Sequence, residues 1–207
     1  MNYPIPVIGF SAFSGTGKTT LLKRLLPLLR AQQLRVGVIK HAHCSFDIDH
    51  PGKDSYEIRH AGADKMLIIS SQRMAVVHEF RQQPAKEPTL QQALAEIDAE
   101  SLDLILVEGF KAAHFPKIEL HRPERGKPMM FPNDSNIIAI ASNVSAAELD
   151  LDPEKVSVAY LNLNQPGDIS DFIVQFIEKF QHAATQPADN DQGVKPGSNV
   201  INSMKIQ

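Results

Sequence analysis

The stretch Ala12-Phe-Ser-Gly-Thr-Gly-Lys-Thr-Thr20 holds the residue types that grip a phosphate chain. Gly15 and Gly17 let the backbone curl so that several N–H groups converge on one anion. Lys18 is spaced to reach β- and γ-phosphate oxygens, and the Thr19 hydroxyl to ligate Mg²⁺. An apolar run, Ile5 to Phe13, precedes the stretch, and an amphipathic run, Leu21 to Leu29, follows it. Strand, glycine turn and helix in that order add the positive end of a helix to the anion site. The full pattern asks for a glycine five positions before Gly17, where this chain has Ala12. A flexible turn at an ordinary helix start accounts for the glycines, but not for Lys then Thr directly after them. Ser14, Gly15, Thr16, Gly17, Lys18, Thr19 and Thr20 are therefore the expected phosphate and metal contacts.

Further chemistry clusters where other strands should end. Glu108 directly follows the apolar run Leu102–Val107 and precedes Gly109. A carboxylate there is placed to hold Mg²⁺ or its water, so Glu108 joins Lys18 as a candidate catalytic group; capping a turn is the plainer alternative. Asp103 falls at the other end of the same run. Lys40 and His41 close a second apolar run, and Lys53-Asp54-Ser55 follows at loop distance. Lys40, Lys53 and Asp54 are candidate nucleotide contacts, and Asp47, Asp49 and Asp54 candidates for the outer magnesium shell, with Asp49 favoured; a solvated polar loop explains each singly. His41, His43, Cys44 and His50 offer softer metal ligands, although no Cys-x-x-Cys or helical His pair supports them. Lys111, His114, Lys117, His121, Arg122 and Arg125 read as a basic surface strip, either merely solvated or meeting an anionic partner. No Asn-Lys-x-Asp occurs, so motif chemistry does not choose between ATP and GTP. Ala141-Ser142-Asn143, after another apolar run, is where a base could be contacted.

The elements that must position these groups read as an α/β fold. Strands are expected over Val7–Phe13, Leu34–Lys40, Met66–Ser70, Met74–Phe80, Leu102–Val107, Lys117–His121, Ile137–Ala141 and Val156–Leu163. Lys117–His121 alternates and reads as half exposed, whereas the unbroken apolar runs read as strands covered on both faces. Helices are expected over Lys18–Gln32, Tyr56–Ala63, Glu87–Glu100 and Ile169–Phe180, with Pro27 marking a kink or a lost hydrogen bond in the first. Beta, alpha, beta in this order implies a parallel sheet with right-handed crossovers. The expected class is thus a P-loop NTPase: a mostly parallel central sheet flanked by helices, with a small strand/loop extension. The expected division is one nucleotide-binding domain over 1–182, carrying a basic extension at 111–135, and a disordered tail over 183–207 that is too polar to bury much.

Bulk properties exclude several other classes. A net charge of −3 gives no general pull toward nucleic acid or anionic membrane. A single cysteine, Cys44, forbids an intramolecular disulfide framework. The start has no basic n-region, and its apolar run is too short for a membrane helix, so a cytoplasmic setting is expected.

Several segments in order carry a resemblance: Phe13-Ser-Gly-Thr-Gly-Lys-Thr-Thr-Leu-Leu22, Val38-Ile-Lys-His41, Asp47-Ile-Asp-His-Pro-Gly-Lys-Asp-Ser-Tyr56, Ala61-Gly-Ala63, Leu104-Ile-Leu-Val-Glu-Gly-Phe-Lys111 and Lys117-Ile-Glu119. Together they resemble the MobB family, the GTP-binding adapter proteins of molybdopterin guanine dinucleotide biosynthesis. The resemblance spans Ile5 to about Phe180 and leaves the tail aside. It implies GTP with Mg²⁺, weak hydrolysis, a homodimer, and partnership with the molybdopterin guanylyltransferase, with molybdopterin and molybdoenzyme targets as further partners. Carried over by position, Gly15, Gly17, Lys18, Thr19 and Thr20 bind phosphate and Mg²⁺, and Glu108 lies in the metal shell or orients water. A small-molecule kinase using the same loop is the main rival, although Arg73, Arg81, Arg122 and Arg125 form no evident lid helix. A metal-delivery GTPase using the His41–His50 loop is the other.

Overall fold

The computed structural model describes residues 3–42, 46–81, 87–151 and 158–185. Six strands build one sheet: β1 (Val7–Ser11), β2 (Val36–Lys40), β5 (Leu104–Glu108), β6 (Lys117–His121), β7 (Ile137–Ser142) and β8 (Ala159–Asn162). Their spatial order is β2-β5-β1-β6-β7-β8, and every pairing is parallel. The helices are α1 (Lys18–Ala31), α2 (Asp54–His60), α3 (Leu90–Ala95) and α4 (Pro166–Thr185), and β3 (Lys65–Ile69) pairs with β4 (Met74–His78) in a separate antiparallel hairpin.

The apolar runs are continuous because both faces of the sheet are covered. Ile8, Phe10, Leu104 and Leu106 pack with Leu21, Leu22, Leu25 and Leu29 of α1 and with Ile169, Ile173, Phe176 and Ile177 of α4. Alternate residues of the same strands, Val7, Ile105 and Val107, pack instead with Leu90 and Leu94 of α3 and with Phe115. Helix α1 runs on through Pro27, which is exposed. The expected helix over 87–100 is broken: α3 stops at Ala95, and Asp98 caps a short 3₁₀ turn by accepting from the Glu100 N–H. Such local side-chain bonds compete with a continuing helix. Helix α4 outlasts its expected end, so residues 183–185, assigned to the tail, are helical. The rest of that tail lies outside the described residues, as do His43 and Cys44.

Two compact units result, 1–41 with 90–207 and 42–89. The first carries the sheet, and residues 111–135, expected as an extension, belong to it. The second holds α2 and the hairpin. Within it the guanidinium of Arg59, 5% exposed, meets Asp47 at 3.1 Å, Glu79 at 2.7 Å and also Asp49.

Strand β6 departs from its half-exposed reading, because all five residues are buried between β1 and β7. Lys117 is 2% exposed and Glu119 1%. Their partners come from the segments that flank the strand. Both oxygens of Glu119 accept backbone N–H groups, from Met130 and Phe131, each at 2.7 Å. Lys117 Nζ donates to the Lys111 carbonyl at 2.7 Å and to Asp134 Oδ2 at 2.8 Å. Burial pushes the Glu119 carboxyl above its ordinary range, against the two amide bonds that favour its charge. The sequence Lys-Ile-Glu-Leu-His alternates, therefore, to pin a covering segment rather than to face water, and the expected basic surface strip does not exist as one surface.

This arrangement predicts that Asp134→Ala, which strands the buried Lys117 ammonium, lowers stability by about 3–5 kcal/mol in urea unfolding. A loss under about 1 kcal/mol, the range of exposed pairs, would show that the pair holds nothing.

Candidate functional site

Strand β1 ends at Ser11 and α1 starts at Lys18, so the loop between them stands at the C-terminal edge of a central strand. Gly15 has φ +78° and Gly17 φ +106°, values that a side chain would strain. Ala12 does not share that region and is fully buried, so the missing first glycine leaves the turn unharmed. Thr16 closes the loop on Phe13, its hydroxyl donating to the Phe13 carbonyl at 2.8 Å. Gly17 caps α1 without any side-chain hydrogen bond, leaving the first-turn amides facing outward for an anion. Lys18 Nζ lies back along the loop, donating to the Ala12 carbonyl at 3.2 Å and reaching that of Phe13 at 3.5 Å.

Parallel register brings the other charges here. Glu108 is paired with Phe10 of β1 on one side and with Lys40 of β2 on the other. Its Oε1 accepts from the Thr19 hydroxyl at 3.5 Å, and its Oε2 lies 3.7 Å from Lys40 Nζ. Gly109, φ +109°, turns the chain just after it, and a Cβ there would fall 2.6 Å from the His41 Cβ. Phe110 then stacks on His41, ring centroids 4.5 Å apart. Lys111 and Lys127 stand over the Phe13 ring at 5.4 and 5.9 Å.

Burial pulls the Lys18 ammonium below its ordinary pKa, and Lys111 adds to that pull, with Glu108 opposing and Lys40 reinforcing. Cations gathered around one carboxylate favour an incoming polyanion, which would shift the Lys18 pKa back upward. The donor set also suits magnesium: a hydroxyl and a carboxylate side by side, with phosphate oxygens and water completing a hard oxygen shell. Among the described residues no group of three or more His, Cys, Asp or Glu side chains could hold a metal, so a dedicated protein cage finds no support there.

The main unit thus unites Ser14 to Thr20, Lys40 and Glu108. Asp49, Lys53 and Asp54 lie in the second unit, where Asp49 pairs with Arg59, Lys53 caps α2, and Asp54 occupies its first turn. Sequence reasoning missed Arg122 and Arg125 as loop partners. Arg122 Nε donates to the Thr16 carbonyl at 3.0 Å and Arg125 Nη2 to that of Gly15 at 2.7 Å. No spacing signal could reveal them, because they come from 106 and 110 residues away; only the adjacency of β6 to β1 delivers them.

A phosphate loop after a central parallel strand, with a carboxylate closing the neighbouring strand, defines a P-loop nucleotide-binding protein of the NTPase class. Comparison narrows this. Residues 7–143 match the family described as Molybdopterin guanine dinucleotide synthesis protein B. A molybdopterin-guanine dinucleotide biosynthesis adapter protein of Escherichia coli K12 is 44% identical over 176 residues, covering 84% of this chain and 95% of that one. Its namesake in Haemophilus influenzae is 37% identical, covering 88% and 96%. The solved structure of Bacillus subtilis MobB shares the fold, with a TM-score of 0.60 at 24% identity over 83% of this chain and 97% of that one. The chain belongs to the MobB family.

Lys18→Ala should leave the fold intact and weaken nucleoside triphosphate binding by about one to two decades, since each charge-assisted bond contributes roughly 1.5–3 kcal/mol. Calorimetric titration checks this, and an unchanged affinity in a folded variant would remove Lys18 from the site.

Proposed function

We propose that the chain is a GTP-binding adapter with weak GTPase activity that assists attachment of GMP to molybdopterin, working in the cytoplasm with the molybdopterin guanylyltransferase. The observation carrying this reading is the cluster Lys18–Thr19–Glu108–Lys40 on a phosphate loop, in a chain of the MobB family. Lys18 and the α1 amides would hold the triphosphate, and Thr19 and Glu108 would hold Mg²⁺, which neutralises charge on the phosphate oxygens. Glu108 is also within reach to orient a water. Arg122 and Arg125 are engaged with loop carbonyls, so they brace the loop instead of neutralising transition-state charge on the γ-phosphate. That charge term contributes about three or more decades of rate in related GTPases, and its absence fits slow turnover. The same engagement weighs against the kinase alternative. Among the described residues no helix is long and apolar enough to cross a membrane.

The homodimer is part of this proposal. In the hairpin Leu67 pairs with Val76 and Ile69 with Met74, and these four side chains are 46–69% exposed. They form one apolar face on a two-stranded ribbon, which is marginal by itself. A second copy of the chain is the occupant we assign to it.

Two measurements test these readings. Glu108→Gln should depress Mg²⁺-dependent hydrolysis more than GTP affinity, with wild-type turnover well below about 1 per second. Equal loss of binding and hydrolysis, or turnover at ordinary enzyme rates with a phosphoryl acceptor, would overturn the adapter assignment. Ile69→Lys should convert a dimer to a monomer in light scattering, and a monomeric wild type would refute the dimer.

A further inference from the structure

The phosphate loop opens into a cleft of about 520 Å³ within the main unit, a size suited to a nucleotide. Past Gly15, Thr16 and Gly17 its walls are Thr20 and Arg24 of α1, Leu163 beyond β8, and the 3₁₀ turn Pro123–Arg125 that follows β6. Phosphates seated on the loop leave this cleft as the place for the nucleoside. Glu124 is the one carboxylate among its lining residues.

Three contacts hold Glu124 in place. Asn143, directly after β7, donates its amide to both carboxylate oxygens, at 3.2 and 3.3 Å. Arg122 Nη1 lies 3.5 Å from Oε1 while its Nε donates to the loop carbonyl of Thr16. Arg125, on the other side of Glu124 in sequence, is tied to Gly15. The two arginines therefore hold the turn against the phosphate loop, which sets the distance between loop and carboxylate. The carboxylate stays 53% exposed, with lone pairs left for a ligand. Its pKa is held below the ordinary range, first by its own backbone amide and also by Asn143 and Arg122. Across the cleft Arg24 is steadied by the Asn164 carbonyl at 3.4 Å, and a guanidinium plane suits stacking on a purine.

We propose that Glu124 reads the base of the bound nucleotide as guanine, its two oxygens accepting N1–H and the exocyclic N2 amino group, with Asn143 as its positioning residue. Guanine offers two adjacent donors on that edge. Adenine presents the N1 lone pair there, which a carboxylate repels, and xanthine replaces the amino group with a carbonyl. Asn143 follows β7, where a base contact is expected, and it acts through Glu124. The inference rests on the GTP reading above and supplies the base selection that no Asn-Lys-x-Asp motif provides.

The test compares the affinities of GTP, ITP, XTP and ATP for wild type and for Glu124→Gln, with the melting temperature confirming the fold. Wild type should bind GTP best, ITP more weakly, and XTP and ATP at least about tenfold more weakly, the cost of unmatched charged hydrogen bonds. In Glu124→Gln the amide can donate to the xanthine carbonyl, so GTP affinity should fall about tenfold while XTP affinity rises above the wild-type value. A purely structural role would lower all four alike, and that outcome, or an unchanged GTP-to-XTP ratio, overturns the inference alone. A wild type that binds none of the four overturns the proposed function together with it.

Discussion

The parallel pairing of β1 between β5 and β6 is the constraint on which the rest depends. It points every strand of the main sheet the same way, so the residues that follow β1, β2, β5, β6 and β7 emerge on one edge. Register then does the fine placement. Because Glu108 is opposite both Phe10 and Lys40, the carboxylate that ends β5 arrives beside the hydroxyl that begins α1. Glu108 is thereby committed to the loop even though 89 residues separate it from Thr19.

The second half of the site depends on a polar face buried inside the sheet. A charged pair and a carboxylate under a covering segment are costly to desolvate, and the chain retains them in β6 because they leave the segment after it little freedom. Glu119 fixes residues 130 and 131, and Lys117 fixes Asp134. With both ends of the segment held, its first turn brings Arg122 and Arg125 to the phosphate loop. Phosphate grip and cleft wall are consequently joined through guanidinium bonds to backbone carbonyls, which are insensitive to side-chain variation within the loop.

The smaller unit follows a different logic. Its interior is organised by one guanidinium among three carboxylates, whereas its hairpin leaves apolar side chains in the open. Stability in the main unit comes from two apolar layers around a sheet. In the small unit it leans on charge pairing around Arg59.

The sequence alone determined what depends on local backbone chemistry. Gly15 and Gly17 with Lys18 and Thr19 specify a turn and a helix start that grip phosphate, and unbroken apolar runs specify strands covered on both sides. The carboxylate at Glu108 was legible for the same reason, since an apolar strand followed by Glu-Gly marks its own exposed end. Tertiary structure decided what depends on which strands are neighbours. Alternation in Lys117–His121 has the same period whether the polar side faces water or a covering segment, so only the position of β6 between β1 and β7 shows Lys117 and Glu119 to be buried. Arg122 and Arg125 read only as members of a basic surface strip, and Glu124 carried no signal, because their partners Thr16, Gly15 and Asn143 are distant in sequence and are brought to them by the order of strands.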